Sequence, residues 1–324
     1  MANSQFKIKY LVFAILILQT FNLHAQVNWQ NVNTFYSPLP NGFNVFKAVD
    51  SLDGKPFVAY YAIADIKNRQ LQFSTDTSYK RRLTPAEFYN KNEQPLLLVN
   101  TTFFSFATNQ NLNVVIKNGE LISYNIHTLP GRGKDTFTYQ HTLGSALGIS
   151  KNRKADIAWT YTDSSNKLAF ATQLVKESWK DSIDKINFST GFIKSSPKLK
   201  KWKMQTAVGG GPVLVQNGQV NITNNQELKF AGKAINDQHP RTIIGYTKDY
   251  QLIVLVIEGR NPGIATGATL QQAAQLMISL GCIEALNLDG GGSSCMLING
   301  KETIKPSDKG VQRSIPSVFY ISNK

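Results

Sequence analysis

The segment ALNLDGGGSSCM, Ala285 to Met296, carries a short apolar run directly into an acid, three glycines and two serines. Apolar residues that stop at a carboxylate predict a strand whose end is open to a ligand. Glycines beyond it take positive φ at no steric cost, so the turn is expected to gather backbone N–H groups into an anion-binding nest beside Asp289. Asp289, Asn287, Gly290, Gly291, Gly292 and Ser293 are therefore the first candidate site residues.

Working outward, the helix feeding this strand starts at Thr269. Gln272 stands at its N3 position, Leu270, Ala273, Ala274, Met277 and Leu280 lie on one face, and Gly281 stops it. A second capping box, Thr84-Pro85-Ala86-Glu87, predicts a helix through about Asn90. Asn118-Gly119 and Asn217-Gly218 between apolar runs predict tight hairpins, and Lys248-Asp249 a third. Helices combined with hairpins predict an α+β fold: a mixed, largely antiparallel central sheet flanked by helices in a single large catalytic domain.

Four apolar runs end in polar residues. They are Leu96–Val99 before Asn100 and Thr101, Val208 before Gly209, Gly210 and Gly211, Leu252–Ile257 before Glu258 and Arg260, and Leu286–Leu288 before Asp289. His239 and Arg241 stand just ahead of a fifth run. If these strands are neighbours in one sheet, their ends form a common cleft. Glu258 closes a run of six apolar residues and must face a cleft or a partner, because an isolated buried carboxylate is costly.

The first 25 residues read as a secretory signal peptide: Lys7 and Lys9, an apolar run from Tyr10 to Leu18, and a small residue, Ala25, at the expected cleavage point. An uncleaved N-terminal anchor is the competing reading. Residues 26–94 are expected to lead into a core at 95–324, with the polar, lysine-rich stretch 150–205 as a peripheral insertion. The chain carries 35 Lys+Arg against 21 Asp+Glu; losing Lys7 and Lys9 lowers the net charge from +14 to +12. Its lysines are dispersed except in KSSPKLKKWK, Lys194 to Lys203, which reads as a solvated loop, so no nucleic-acid partner is expected. No stable membrane association is expected after signal cleavage. Two cysteines exclude a disulfide framework; Cys282 and Cys295 either pair or act as small buried hydrophobes.

The order and spacing of NTTFF, GGGPVLVQNG, HPRTIIGY, LVIEGR, GATLQQAAQLMISLG, ALNLDGGGSS and Gln312-Arg313-Ser314-Ile315-Pro316-Ser317 resemble the phosphodiester glycosidases over about residues 95–320. The resemblance implies hydrolysis of a sugar 1-phosphodiester at the anomeric carbon, releasing an N-acetylglucosamine-like sugar and a phosphomonoester. It places Asn100, Arg241, Asp289, Arg313, Gly290–Gly292 and Ser293 on the family pattern. Thr101 and Thr102 replace its usual glycines, and Glu258 its usual aspartate.

On this reading Asp289, Glu258 and His239 are the catalytic candidates. Arg241 and Arg313 grip the phosphate, joined by Asn100, Thr101, Gly210, Gly211, Arg260, Asn287, Gly290–Gly292 and Ser293. The expected partner is a phosphorylated glycan or sugar phosphate, and the expected location is secreted or periplasmic. No cofactor is predicted, although an ion bridging Asp289 and the phosphate stays open to a chelator test. Two rivals remain: a glycan-binding protein without activity, and a phosphodiesterase cutting the P–O bond.

Overall fold

A computed structural model describes residues 27–131, 133–175, 177–182 and 199–324. The expected signal peptide and the first half of the lysine run, 194–198, lie outside the described residues; the second half departs from the expected solvated loop, since 200–202 pair as an edge strand and Trp202 is buried. Among those described, 44% of the fold is strand and only 12% helix, so the protein is mostly β. This corrects the expected α+β class with one helix-flanked central sheet. The alternating patterns identified strands but could not reveal that sheets would cover one another and leave little surface for helices.

Eight strands form the first sheet, in the spatial order 30–31, 43–52, 55–65, 251–257, 241–247, 282–287, 213–216, 219–220. A second, seven-stranded sheet runs 200–202, 169–172, 155–161, 144–149, 206–209, 115–117, 120–123, and a five-stranded sheet runs 301–302, 296–298, 97–100, 317–323, 71–77. Neighbouring strands in all three are antiparallel, as Arg241–Thr247 is to both Gln251–Ile257 and Cys282–Asn287. Asn118 and Gly119, like Asn217 and Gly218, take the positive φ values of the tight hairpins expected there.

The run Leu252–Ile257 is apolar throughout because both faces of its sheet are covered. Leu252, Val254 and Val256 join Leu147 and Trp159 of the second sheet and Val99 and Phe319 of the third in one shared core. Ile253, Leu255 and Ile257 point the other way, into a second core that also holds Leu270, Ala273, Ala274 and Met277 of the helix Leu270–Ser279. That helix has the predicted capping box, Thr269 accepting from Gln272 N–H, and the helix Pro85–Lys91 has its own at Thr84 and Glu87. Cys282 and Cys295 are free and buried, and burial raises both thiol pKa values, Cys282 to about 12.

These contacts set the scale of two substitutions. Leu255→Ala opens a cavity in this second core and is expected to cost about 2–5 kcal/mol. Thr269→Ala removes only a helix cap and is expected to cost about 1 kcal/mol. Urea unfolding of both variants checks the ranking, and equal losses would contradict this packing.

Candidate active site

Strand ends from three sheets, not one, meet at Asp289. Arg241 opens one central strand of the eight-stranded sheet and Asn287 closes its neighbour. The chain leaves the seven-stranded sheet at Gly209 and re-enters the eight-stranded one at Val213, so the glycines between them cross from sheet to sheet. Asn100 closes a strand of the five-stranded sheet.

Asn100 is buried and forms the junction. Its Nδ2 donates to the Asp289 carbonyl at 2.6 Å, while its Oδ1 accepts from Thr242 Oγ1 at 2.8 Å and Cys295 N–H at 3.1 Å. Asp289 N–H in turn donates to Thr101 O at 2.7 Å. The amide of Asn100 is thus committed to holding the Asp289 turn. Thr101 and Thr102 direct their hydroxyls onto Ser317 Oγ, at 2.8 and 2.6 Å, and are buried with it.

Burial pushes the Asp289 carboxyl up to about 7, opposed by the Ser293 hydroxyl, the Arg313 charge and the Gly290 N–H. Ser293 Oγ lies beside the carboxyl without hydrogen-bond alignment and has no other partner among the described residues.

The glycine turn differs from the expected nest. Gly290 N–H faces the Asp289 carboxyl, and Gly291 N–H donates to Pro240 O at 2.9 Å. What the glycines supply is room for guanidinium groups. A Cβ on Gly292 would lie 2.2 Å from Arg313 Nη2, and one on Gly291, at φ 60°, 3.1 Å from both terminal nitrogens of Arg260. Arg313 is oriented from behind by Asp308, whose Oδ2 accepts from Nε at 2.8 Å.

Arg241 is the more unusual cation. It is buried, its Nε donates to Ala268 O at 2.9 Å and its Nη2 to Asp237 O at 3.1 Å. No carboxylate pairs with it among the described residues. Desolvation and Arg260 lower its pKa to about 10, so it stays charged at neutral pH. Only two of its five N–H groups are used by these bonds, leaving donors for an anion.

His239 Nδ1 lies 3.3 Å from Arg260 Nη2. Arginine can only donate, so Nδ1 accepts and the ring proton sits on Nε2. Burial, Arg241 and Arg260 lower the histidine pKa and keep the ring neutral at pH 7. Glu258 turns inward: Oε1 accepts from Asn261 Nδ2 at 2.8 Å and Oε2 from Lys305 N–H at 3.1 Å. Its longer side chain braces two loops at the edge of the site. Asn287, also buried, gives Nδ2 to the carbonyls of Gly211 and Leu288, and its Oδ1 has no hydrogen-bond partner among the described residues. Gly210 permits close packing, since a Cβ there would lie 2.4 Å from Asn287 O.

The structure therefore gathers Asp289, His239, Arg241, Arg260, Arg313 and Gly290–Ser293 around one turn, with Asn100, Thr101, Gly210, Gly211, Asn287 and Glu258 as its supports. A groove of about 710 Å³ lined by Lys117, Lys151 and Arg153 lies at the opposite ends of the strands and contains none of these residues. Sequence reading missed Glu227, a buried carboxylate that accepts from Ser145, Trp159, Thr223 and the Val213 N–H. Nothing in the polar stretch around it signals burial. Among the described residues, no cluster of three or more His, Cys, Asp or Glu side chains is arranged to hold a metal ion.

Removal of the Asn100 amide should separate support from chemistry. Asn100→Ala strands the Cys295 N–H and the Thr242 hydroxyl, each expected to cost about 1–3 kcal/mol where buried. A thermal melt indistinguishable from the parent would refute this bracing role.

Comparison with known proteins places the chain in a family and a fold. The profile of the phosphodiester glycosidase family matches residues 94–322. A SPbeta prophage-derived uncharacterized protein of Bacillus subtilis (strain 168) is 38% identical over 88 residues, covering 27% of this chain and 13% of its own. N-acetylglucosamine-1-phosphodiester alpha-N-acetylglucosaminidase of Bos taurus is 29% identical over 103 residues, 29% of this chain and 19% of that protein. This chain thus matches less than a fifth of either relative's length. The catalytic domain of the zebrafish N-acetylglucosamine-1-phosphodiester alpha-N-acetylglucosaminidase, auto-inhibited by its pro-peptide, shares the fold with a TM-score of 0.59 at 18% identity. That match covers 92% of this chain and 88% of the zebrafish chain. Matched by the family profile over most of its length, this chain belongs to the phosphodiester glycosidase family.

Proposed function

We propose that the protein is an exported hydrolase that cleaves a sugar 1-phosphodiester at the anomeric carbon, releasing the sugar and leaving a phosphomonoester. The observation that carries this reading is Arg241, a buried cation with no carboxylate partner among the described residues, placed beside the turn that holds Asp289. A desolvated guanidinium with unused donors suits a phosphate, which it can grip through two oxygens. Arg313 and Arg260, seated on the glycine turn, add charge where the leaving phosphate gains it.

The leaving group is a phosphate of low proton affinity, so stabilising its charge matters more than protonating it. On the sugar side Asp289 balances the oxocarbenium charge and either activates water or attacks directly. His239, with its proton on Nε2, is suited to donate a hydrogen bond to the substrate. Water supplies a hydroxyl to the anomeric carbon and a proton to the products, and the C1–O bond breaks.

Turnover of a sugar 1-phosphodiester in ¹⁸O-labelled water tests the reaction. Label in the sugar is expected. Label in the phosphate would mean P–O cleavage, and no turnover would leave a binding protein; either result defeats the proposal.

Asp289→Asn is expected to lower kcat by at least about a thousandfold without lowering the melting temperature. The pH dependence has a defined sign. A carboxyl raised to about 7 is protonated below that pH, so kcat/KM should fall about tenfold per pH unit on the acid side of 7 and level off above it. A rate that rises on acidification would reverse the role given to Asp289.

A further inference from the structure

Beyond the arginines, one more cation stands in the cleft. Lys229 follows the short helix Asn224–Glu227, where Leu228 takes a left-handed conformation at φ 54° and turns the chain. The segment is rigidly built. Buried Asn224 accepts from Phe230 N–H and donates to Phe230 O, both at 2.9 Å, and Thr223 Oγ1 donates to Glu227 Oε1 at 2.6 Å.

The lysine stem passes Gly211, where a Cβ would lie 2.4 Å from its Cε, so the absence of a side chain there admits it. Its ammonium lies 5.7 Å from the centroid of the Phe103 ring. Phe103 meets Phe230 edge to face at 5.9 Å, and the Arg241 guanidinium lies 5.7 Å from the Phe230 centroid. Two cations thus bracket one aromatic pair, and Phe103 stands two residues beyond Thr101, whose carbonyl holds Asp289 N–H.

Among the described residues the Lys229 ammonium makes no hydrogen bond or ion pair. Glu227, the acid whose charge acts on it, is engaged elsewhere and forms no ion pair with it: Oε1 takes the Thr223 hydroxyl, the Trp159 indole and Val213 N–H, and Oε2 takes the Ser145 hydroxyl. Desolvation accordingly lowers the lysine pKa, with Glu227 opposing. Lys229 is half-buried, so a cation held there with three unused donors is placed to meet an acceptor that enters the cleft.

We propose that Lys229 is a substrate-binding residue that receives an oxyanion of the substrate, across the Phe103–Phe230 pair from Arg241. The inference rests on the phosphodiester reading for its substrate class, and the oxyanion is either the scissile phosphate itself or a second acidic group of the glycan.

Lys229→Met and Lys229→Arg are compared with the parent on two substrates, a neutral-sugar 1-phosphodiester and one bearing a uronic acid. Lys229→Met should raise KM about tenfold or more, a charged hydrogen bond being lost, with Lys229→Arg recovering part of it. A penalty on both substrates identifies the scissile phosphate; a penalty confined to the acidic one identifies a second anion. Unchanged KM on both overturns the proposal.

Titration of the same proteins with inorganic phosphate separates this inference from the reaction. Weakened phosphate binding by Lys229→Met, at an unaltered melting temperature, supports the site even if the parent hydrolyses neither substrate. Equal phosphate affinity in parent and variant, together with no turnover by the parent, counts against both.

Discussion

The site depends on the amide of Asn100. One buried side chain joins the five-stranded sheet to the Asp289 carbonyl, to the Thr242 hydroxyl of the eight-stranded sheet and to the Cys295 N–H. An amide can do this because it donates and accepts at once, and its plane fixes the directions of both. With the Thr101 carbonyl taking Asp289 N–H, both backbone polar groups of Asp289 are held. The acid is held by backbone contacts, which leaves its carboxyl for chemistry.

Around that anchor, charge is distributed unevenly. Glu227 and Glu258 are both buried and both accept from neutral donors, and neither forms an ion pair with a cation of the cleft among the described residues. Arg241 lacks an acidic partner among the described residues, and Arg313 has one only at Nε. The cleft thereby carries a surplus of fixed positive charge, the arrangement that the proposed reaction calls for. The same apolar surroundings that make the cations strong ligands raise the Asp289 carboxyl to about 7. A single physical cause, exclusion of water, thus sets both halves of the site.

The glycines have a use that their spacing alone did not suggest. Three in a row suggested free N–H groups, and two of these are engaged within the turn, Gly291 N–H by Pro240 O and Gly290 N–H by the Asp289 carboxyl. Their service is to be small: Gly292 lets Arg313 approach where any side chain would collide, and Gly211 does the same for Lys229. Glu258 is similar. Its position at a strand end was visible, but the inward turn to Asn261 and Lys305 depends on loops that pack only in three dimensions.

The sequence by itself determined the local elements and named the residues that the structure gathers at the candidate site. Capping boxes, Asn-Gly turns and alternating apolar residues depend on contacts within a few positions, so they were legible at Thr84, Thr269, Asn118 and Asn217. The family resemblance likewise rested on ordered motifs. Only the tertiary structure decided that the strands divide among several sheets, that Asn100 supports the turn and that Lys229 enters the cleft. Those outcomes come from pairings across long stretches of chain, as when Asn100 meets Asp289, and no local pattern encodes which distant partner a buried polar group will find.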